Sequence, residues 1–285
     1  MNQLNAIDTH VHIWNLEKVE YTWLKGDTSI LNRTFELNEL NPQIQAAGVT
    51  KGILVQAANN FPDTDFMLDA AEKNHWIKGV VGWLPLMDPL ASAQKLANEY
   101  LKNPYIKGIR HLIHNEPDPA WQLQMDVLES LQMLAKASIP YDVVGVNIQH
   151  LNTTIAVMEK IPELKLVLDH LNAPPIATNE RFGVWGERMK IAAQNPNCFA
   201  KISGLGTATG NFTGWTKDVL KPYIAFVLEH FGVDRCFCGG DWPIVLFAGN
   251  YIDTWRAYKQ VLTELLDAAD QEKVLSLNAS HFYQL

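Results

Sequence analysis

Two histidines near the start of the chain, His10 and His12, are the residues whose spacing most clearly suggests chemistry. They lie in an apolar run, Ile7-Asp-Thr-His-Val-His-Ile13, of the kind that forms a β-strand. Side chains two residues apart on a strand point to the same side, so both imidazoles project together. A converging pair of imidazoles can bind a divalent metal ion or polarise a carbonyl group. Two ordinary core or surface histidines are the alternative that this spacing alone leaves open.

Two later apolar runs end in polar residues that could join this pair. Leu166-Val-Leu168 is followed by Asp169 and His170, and Cys236-Phe-Cys238 is followed by two glycines and Asp241. His170 would be a third imidazole, and Asp241 could act as a metal ligand and general base. Taken singly, each aspartate could be an ordinary turn residue. Their shared position, directly after apolar runs, favours a common site.

A second group of side chains is predicted to contact a substrate. Arg110 ends the fourth apolar run, and its planar guanidinium could hold a substrate oxygen or pair with a nearby acid. His111 follows it. Lys201, in the seventh run, is a secondary candidate to which the sequence assigns no role. The aromatic residues predicted to position a substrate are Trp14, Trp83 and Trp242.

Eight apolar runs recur along the chain and alternate with segments of helical character. Most are continuous Val/Ile/Leu stretches, which is typical of parallel strands buried on both faces. A strand and a helix repeated about eight times in 285 residues predict a single (β/α)8 barrel over residues 1–285. Barrel active sites form at the C-terminal ends of the strands, where the polar residues above lie. The predicted strands lie near Ala6–Ile13, Gly52–Ala57, Val80–Leu84, Ile106–Leu112, Pro140–Val146, Leu164–His170, Cys198–Ser203 and Arg235–Gly240.

Two connections between these runs stand out. Asn15–Phe35 is the longest and carries several aromatic residues, so it is predicted to form a lid or cap over the barrel. Gly204–Gly210 misses the GxGxxG spacing of a dinucleotide-binding loop and is predicted to be a flexible loop. The missing phosphate-binding loop also argues against an open doubly wound sheet.

Composition excludes several classes of protein. The chain has 23 Lys and Arg against 31 Asp and Glu, with no basic cluster longer than a pair, so nucleic acid is not an expected partner. Three cysteines cannot build a disulfide framework. No signal peptide is visible, and no apolar stretch approaches the ~20 residues needed to cross a bilayer. We therefore expect a cytoplasmic protein without a membrane partner; a homo-oligomer is left open.

Several short motifs resemble one lactonase branch of the amidohydrolase superfamily, which includes enzymes acting on fuconolactone and rhamnonolactone. The resemblance extends over nearly the whole chain and is specific for the family but not for the substrate. The motifs are Ile-Asp-Thr-His-Val-His-Ile-Trp at 7–14, Tyr-Thr-Trp-Leu at 21–24, Gly-Val-Val-Gly-Trp-Leu-Pro-Leu at 79–86, Gly-Ile-Arg-His at 108–111, Glu-Pro-Asp-Pro at 116–119, Leu-Asp-His-Leu at 168–171, Lys-Ile-Ser-Gly-Leu at 201–205, Gly-Asp-Trp-Pro at 240–243 and Asn-Ala-Ser-His-Phe-Tyr at 278–283.

The resemblance implies a barrel whose metal ligands are His10, His12, His170 and Asp241. It implies one divalent ion, with zinc expected, and a metal-free site is the alternative because some related lactonases work without one. The fifth run ends without a histidine, which argues against a binuclear centre. Asp241 and His170 are the implied catalytic residues.

The function predicted from these residues is hydrolysis of a small lactone, either a sugar aldonolactone or a related carboxylated lactone. The histidines and any bound ion would polarise the ester carbonyl, and Asp241 would take a proton from water and return it to the departing alcohol. Two alternatives are carried forward: a metal-dependent decarboxylase with the same barrel, and a barrel that only binds a sugar acid.

Overall fold

Eight parallel strands form one sheet in the computed structural model, which describes residues 5–285. Each strand pairs with the next one along the chain, from β1 to β8. The sheet closes where Asp241 N donates to His10 O and His12 N donates to Trp242 O, both at 2.7 Å. The predicted (β/α)8 barrel is therefore confirmed. The strands are β1 Ala6–Val11, β2 Val49–Val55, β3 Ile77–Gly82, β4 Ile106–His111, β5 Tyr141–Val143, β6 Leu166–Leu168, β7 Cys198–Ile202 and β8 Cys236–Cys238.

Helices surround the barrel and close its lower end. In the described part of the chain, none of them has both the length and the apolar character needed to span a membrane. Five begin after an Asn or Asp whose side chain accepts a hydrogen bond from a first-turn N–H, namely Asn60, Asp88, Asn147, Asn250 and Asp267. The helices are α1 Leu37–Ala47, α2 Phe61–Lys73, α3 Pro89–Asn98, α4 Met125–Lys136, α5 Ile148–Lys160, α6 Gly183–Ala193, α7 Leu205–Ala208, α8 Lys217–Phe231, α9 Tyr251–Leu265, α10 Ala268–Glu272 and α11 Asn278–Tyr283.

Strand β6 is shorter than the apolar run that predicts it. After Leu168 the chain enters a tight turn, in which His170 has a φ of 53° and Leu171 a φ of 52°. Left-handed backbone of this kind is uncommon outside glycine and is often found at functional sites. The turn ends the strand two residues early and redirects His170.

Aromatic side chains fill the lower end of the barrel, away from the C-terminal ends of the strands. We call Phe199, Phe237, Phe282 and Tyr283 the barrel plug; all four are buried. Phe282 lies 4.7 Å from Phe199 and 5.2 Å from Phe237, measured between ring centroids. Two of the four residues come from α11, so the last helix of the chain completes the barrel interior.

Candidate active site

The imidazoles of His10 and His12 lie together at the mouth of the barrel, with ring centroids 4.8 Å apart. The pairing of β1 with β2 shifts register between Asp8 and Val11. Asp8 turns away from the two histidines and accepts a hydrogen bond from the Tyr251 hydroxyl on α9 at 2.6 Å. Irregularities of this kind re-aim side chains next to active sites. The predicted convergence of the two imidazoles is present in the structure.

The two imidazoles present bare nitrogens to each other. His12 Nδ1 lies 2.7 Å from the Val55 carbonyl and must donate its proton there, which leaves Nε2 with a free lone pair. That Nε2 is 3.1 Å from His10 Nε2. Arg110 Nη1, which can only donate, lies 3.2 Å from His10 Nε2, so this nitrogen carries no proton, and the His10 ring proton is on Nδ1, 3.6 Å from Asp169 Oδ1. Burial lowers the pKa of both histidines well below 6.5, so both are neutral, as metal ligands must be.

A carboxylate completes this group. Asp241 Oδ1 lies 3.7 Å from His12 Nε2 and 3.9 Å from His10 Nε2, and it is buried without a hydrogen-bond partner. Two imidazole nitrogens and one carboxylate oxygen, all within 4.8 Å of one another, are a donor set that zinc accepts. These three residues fit a divalent ion, and the orphaned oxygen is the observation that favours one.

Asp241 is held by backbone contacts with the first strand. Gly240 N donates to Asp8 Oδ1 at 2.7 Å, and Asp241 adopts a φ of 57°. A Cβ at Gly240 would lie 2.5 Å from Asp8 Oδ2, so glycine is needed for this close approach. Burial raises the pKa of Asp241 well above 3.8, which makes it a stronger base than an exposed aspartate.

His170 faces the other oxygen of the same carboxylate. Its Nδ1 lies 4.0 Å from Asp241 Oδ2 and 2.8 Å from Ser203 Oγ. Ser203 Oγ already accepts from the His170 backbone N–H at 3.3 Å, so the hydroxyl can donate to Nδ1 and leave Nε2 as the ring donor. By distance, potential ligand atoms of His170 cluster with those of His10 and Asp169, and not with those of His12. Burial lowers the pKa of His170 to about 4, so the ring is neutral.

Arg110 lines the site, but most of its hydrogen-bonding capacity is used within the protein. Its guanidinium donates to Asp169 Oδ2 at 3.1 Å and to both the side chain and the backbone carbonyl of Gln56. Nη1 also lies 3.2 Å from His10 Nε2. The ion-pair alternative raised by the sequence is present in the structure, with Asp169 as the acid, although the arginine still borders the cavity.

A cavity of about 460 Å³ opens above these residues. His12, Arg110, His170 and Asp241 lie on its polar side, together with His114 at the mouth. Most of the remaining wall is apolar, and its larger members are Trp14, Trp23, Leu112, Val144, Val146 and Ile244. Cavities that are mainly apolar with a few convergent polar groups are the usual form of small-molecule sites.

The long connection Asn15–Phe35 contributes Trp23 to the cavity wall and is fixed to neighbouring elements by hydrogen bonds. Trp23 Nε1 donates to the Ala57 carbonyl at 2.8 Å, and the Tyr21 hydroxyl donates to the buried Asp63 at 3.0 Å. The predicted cap is thus a wall fixed by buried hydrogen bonds.

Three residues predicted to contact a substrate lie outside the cavity walls. Trp83 Nε1 donates to His111 Nδ1 at 3.1 Å, and the His111 ring stacks on Trp121 with centroids 4.1 Å apart. Trp242 is fully buried against Phe35. Trp14 is the one predicted aromatic contact that borders the cavity.

The sequence predicts a flexible loop over Gly204–Gly210, and this prediction is wrong for Leu205–Ala208, which form helix α7. Gly204 has a φ of 62°, and a Cβ there would lie 2.8 Å from both Asp241 Oδ2 and His170 Nδ1. The glycine allows the backbone to pack directly against these two side chains.

Sequence reasoning missed several residues of the site. Trp23 and His114 border the cavity, and Asp142 lies below it, paired with Lys201 at 2.6 Å. One signal was available for Asp142, because a single acid inside an apolar run needs a buried partner. Trp23 carries no such signal, since nothing local distinguishes it from its aromatic neighbours.

Comparisons with known proteins identify the family of this chain. Residues 7–285 match the family model described as amidohydrolase. An L-fucono-1,5-lactonase from Burkholderia ambifaria is 30% identical over 98% of this chain and 95% of its own length. An L-rhamnono-gamma-lactonase from Scheffersomyces stipitis is 22% identical over the full length of both chains.

A solved structure shows the same architecture. The crystal structure of an amidohydrolase from Burkholderia multivorans with bound zinc is 25% identical, with a TM-score of 0.90 over 99% of both chains. Together with the match over residues 7–285, this confirms the resemblance seen in the sequence motifs. The chain belongs to the amidohydrolase family and is a hydrolase.

Proposed function

We propose that this enzyme hydrolyses the ester bond of a small lactone. The observation that carries the proposal is the buried, unpartnered Asp241 Oδ1 facing the bare Nε2 atoms of His10 and His12 at the base of the cavity. The names of the relatives from Burkholderia ambifaria and Scheffersomyces stipitis, both sugar lactonases, support the same reaction.

The cavity favours an uncharged lactone, such as an aldonolactone, over a carboxylated one. A bound carboxylate needs a cation with free donors, and Arg110 already donates to Asp169 and Gln56. Much of the remaining wall is apolar, including Trp14 and Trp23, and it offers little to offset the cost of burying a substrate carboxylate. Of the two substrate types predicted from the sequence, we therefore propose the uncharged aldonolactone.

His10, His12 and Asp241 would hold one divalent ion, for which we propose zinc. When bound, such an ion would act as a Lewis acid on the ester carbonyl and make water easier to deprotonate.

The residues themselves would carry the proton transfers. Asp241 accepts a proton from the attacking water as the carbon–oxygen bond to water forms, and it returns that proton to the ring oxygen when the ester bond breaks. His170, whose Nε2 is the ring donor, would hydrogen-bond the carbonyl oxygen as negative charge develops on it. One water is consumed and one hydroxy acid is formed for each lactone opened.

The test is release of acid from a panel of lactones by the purified enzyme, followed with a pH indicator. Asp241→Asn should lower kcat by at least about 10²-fold, a loss typical of removing a general base. Asp69→Asn, on the exposed face of α2, is the matched control and should keep wild-type activity. Turnover by Asp241→Asn at the wild-type rate would refute the mechanism.

The same panel separates the two alternatives carried from the sequence. A decarboxylase would release CO2 from aromatic or enoic acids and leave the lactones intact. A barrel that only binds sugar acids would show tight binding by calorimetry without turnover of any lactone.

A further inference from the structure

A lysine lies fully buried beneath the two histidines of β1. Lys201 Nζ is 2.6 Å from Asp142 Oδ2, 2.8 Å from Asp169 Oδ1 and 3.4 Å from His10 Nδ1. An ammonium group has three N–H donors, and two of them reach these two carboxylates. The His10 ring proton is on Nδ1, which faces Asp169 Oδ1 at 3.6 Å. The ammonium therefore holds Asp169, the acid that His10 Nδ1 faces, and connects it to Asp142.

The last helix of the chain reaches the same group from the closed end of the barrel. The Tyr283 hydroxyl on α11 donates to Asp142 Oδ2 at 2.7 Å, the oxygen that also contacts Lys201. The Tyr283 ring belongs to the barrel plug, and its centroid lies 5.6 Å from Lys201 Nζ. A continuous series of contacts thus runs from Tyr283 through Asp142 and Lys201 to His10.

Stability alone does not account for these buried charges. Removing two carboxylates and an ammonium from water carries a large desolvation cost, and apolar side chains of similar volume often serve a core equally well. Burial raises the pKa of Asp142 to about 6 even with Lys201 beside it. The network does fix the orientation of its side chains, because each charged group has defined partners.

The side chain whose orientation this network fixes is His10. Its Nδ1 faces Lys201 at 3.4 Å and Asp169 Oδ1 at 3.6 Å, while its Nε2 faces His12 and Asp241. Partners on the far side of a ligand imidazole fix its orientation, and their loss typically costs about 10–100-fold in activity or metal affinity.

We propose that Lys201, held in place by Asp142 and Tyr283, is a positioning residue that orients the His10 imidazole, so that the C-terminal helix is part of the active site. This inference rests on the proposed function, because it concerns the same site. Lys201 touches neither substrate nor reacting atoms; it acts on His10 through the Asp169 carboxylate that both side chains face.

The first variant is Tyr283→Phe, which removes one hydroxyl and keeps the ring in the barrel plug. We expect kcat to fall about tenfold with KM changed less than about twofold, because substrate-contacting residues are untouched. Tyr100→Phe is the control, since it also removes a buried hydroxyl, one that donates to the Trp83 carbonyl at 2.9 Å. The control should keep wild-type kinetics.

The second variant tests Lys201 itself. Lys201→Met would leave Asp142 buried without its cation, so it is combined with Asp142→Asn, which removes that charge. The double variant should unfold cooperatively yet have a kcat at least about tenfold below wild type. Adding Tyr283→Phe to the double variant should not lower kcat further, because the connection to His10 is already broken.

Nitrogen-15 NMR of the His10 imidazole reports orientation without any turnover. The two ring-nitrogen shifts should move in Tyr283→Phe and in the Lys201→Met/Asp142→Asn variant but not in Tyr100→Phe. Unchanged His10 shifts in both site variants, together with wild-type kcat, would overturn the inference. If the wild type hydrolyses no lactone, the proposed function fails, and the shifts still decide whether Lys201 positions His10.

Discussion

The strongest stability prediction concerns Asp63, a buried carboxylate that supports the cavity wall. Its Oδ2 accepts hydrogen bonds from Ala57 N at 2.8 Å and Ala58 N at 3.1 Å, and its Oδ1 accepts from the Tyr21 hydroxyl at 3.0 Å. Burial raises the pKa of Asp63 from 3.8 to about 6, although these three donors oppose the shift. The folded state therefore binds a proton more tightly than the unfolded state between about pH 4 and pH 6.

The sign and size of the effect follow from this shift. A carboxyl group whose pKa is raised on folding adds stability at low pH, and this contribution is lost as the pH rises through about 6. A shift of about two pKa units corresponds to about 3 kcal/mol. The Asp63→Asn variant cannot bind a proton at this position. The difference between its free energy of unfolding and that of wild type should therefore shift in favour of the variant, by up to about 3 kcal/mol, as the pH rises from 4 to 7.

Urea unfolding at half-unit pH steps measures this difference directly, provided that the slope with denaturant is the same in both proteins. Asp69→Asn, an exposed substitution on the same helix, should show a difference from wild type that stays within about 0.5 kcal/mol at every pH. A similarly constant difference for Asp63→Asn would refute the raised pKa and the argument built on it.

Three further predictions concern the cavity. Trp23→Ala removes a wall residue and should raise KM more than it lowers kcat, as measured by initial rates over a range of lactone concentrations. The rate should rise with pH through an apparent pKa above 3.8, because the base Asp241 must be ionised and burial raises its pKa; added zinc should move this inflection to lower pH. Trp83→Phe should leave KM within about twofold of wild type, because Trp83 donates to His111 outside the cavity; a tenfold rise would contradict this placement.

The barrel could be predicted from the sequence because its signals are local. Each strand is an apolar run ended by polar residues, and the order of strands around the barrel follows the order along the chain. The convergence of His10, His12 and Asp241 follows from the same rule, since all three lie at C-terminal strand ends. His170 was placed near them for that reason, although the left-handed turn that aims it could not be seen in the sequence.

Side-chain partners across the barrel were harder to predict, because they depend on which neighbours lie opposite. Trp83 follows β3 and His111 is the last residue of β4, so both lie at strand ends, as cavity residues do. They nevertheless hydrogen-bond to each other outside the cavity walls. Trp23 comes from a long connection whose path is set by the hydrogen bonds of its tryptophan and of Tyr21 to the barrel. The position of a residue along its strand predicts which end of the barrel it occupies. It does not predict which side chain the residue will hydrogen-bond.

The buried charges show where sequence reading could go further. Lys201 and Asp142 each interrupt an apolar strand, and each alone would be costly to bury. Opposite charges in two such strands predict that the pair meet inside the barrel, even though they are 59 residues apart in the chain. Tyr283 illustrates the remaining difficulty, because its hydroxyl finds Asp142 across 141 residues and only the packing of the last helix brings it there. A charge without a local partner is thus a signal for a long-range contact, while an aromatic residue that completes such a contact gives no signal of its own.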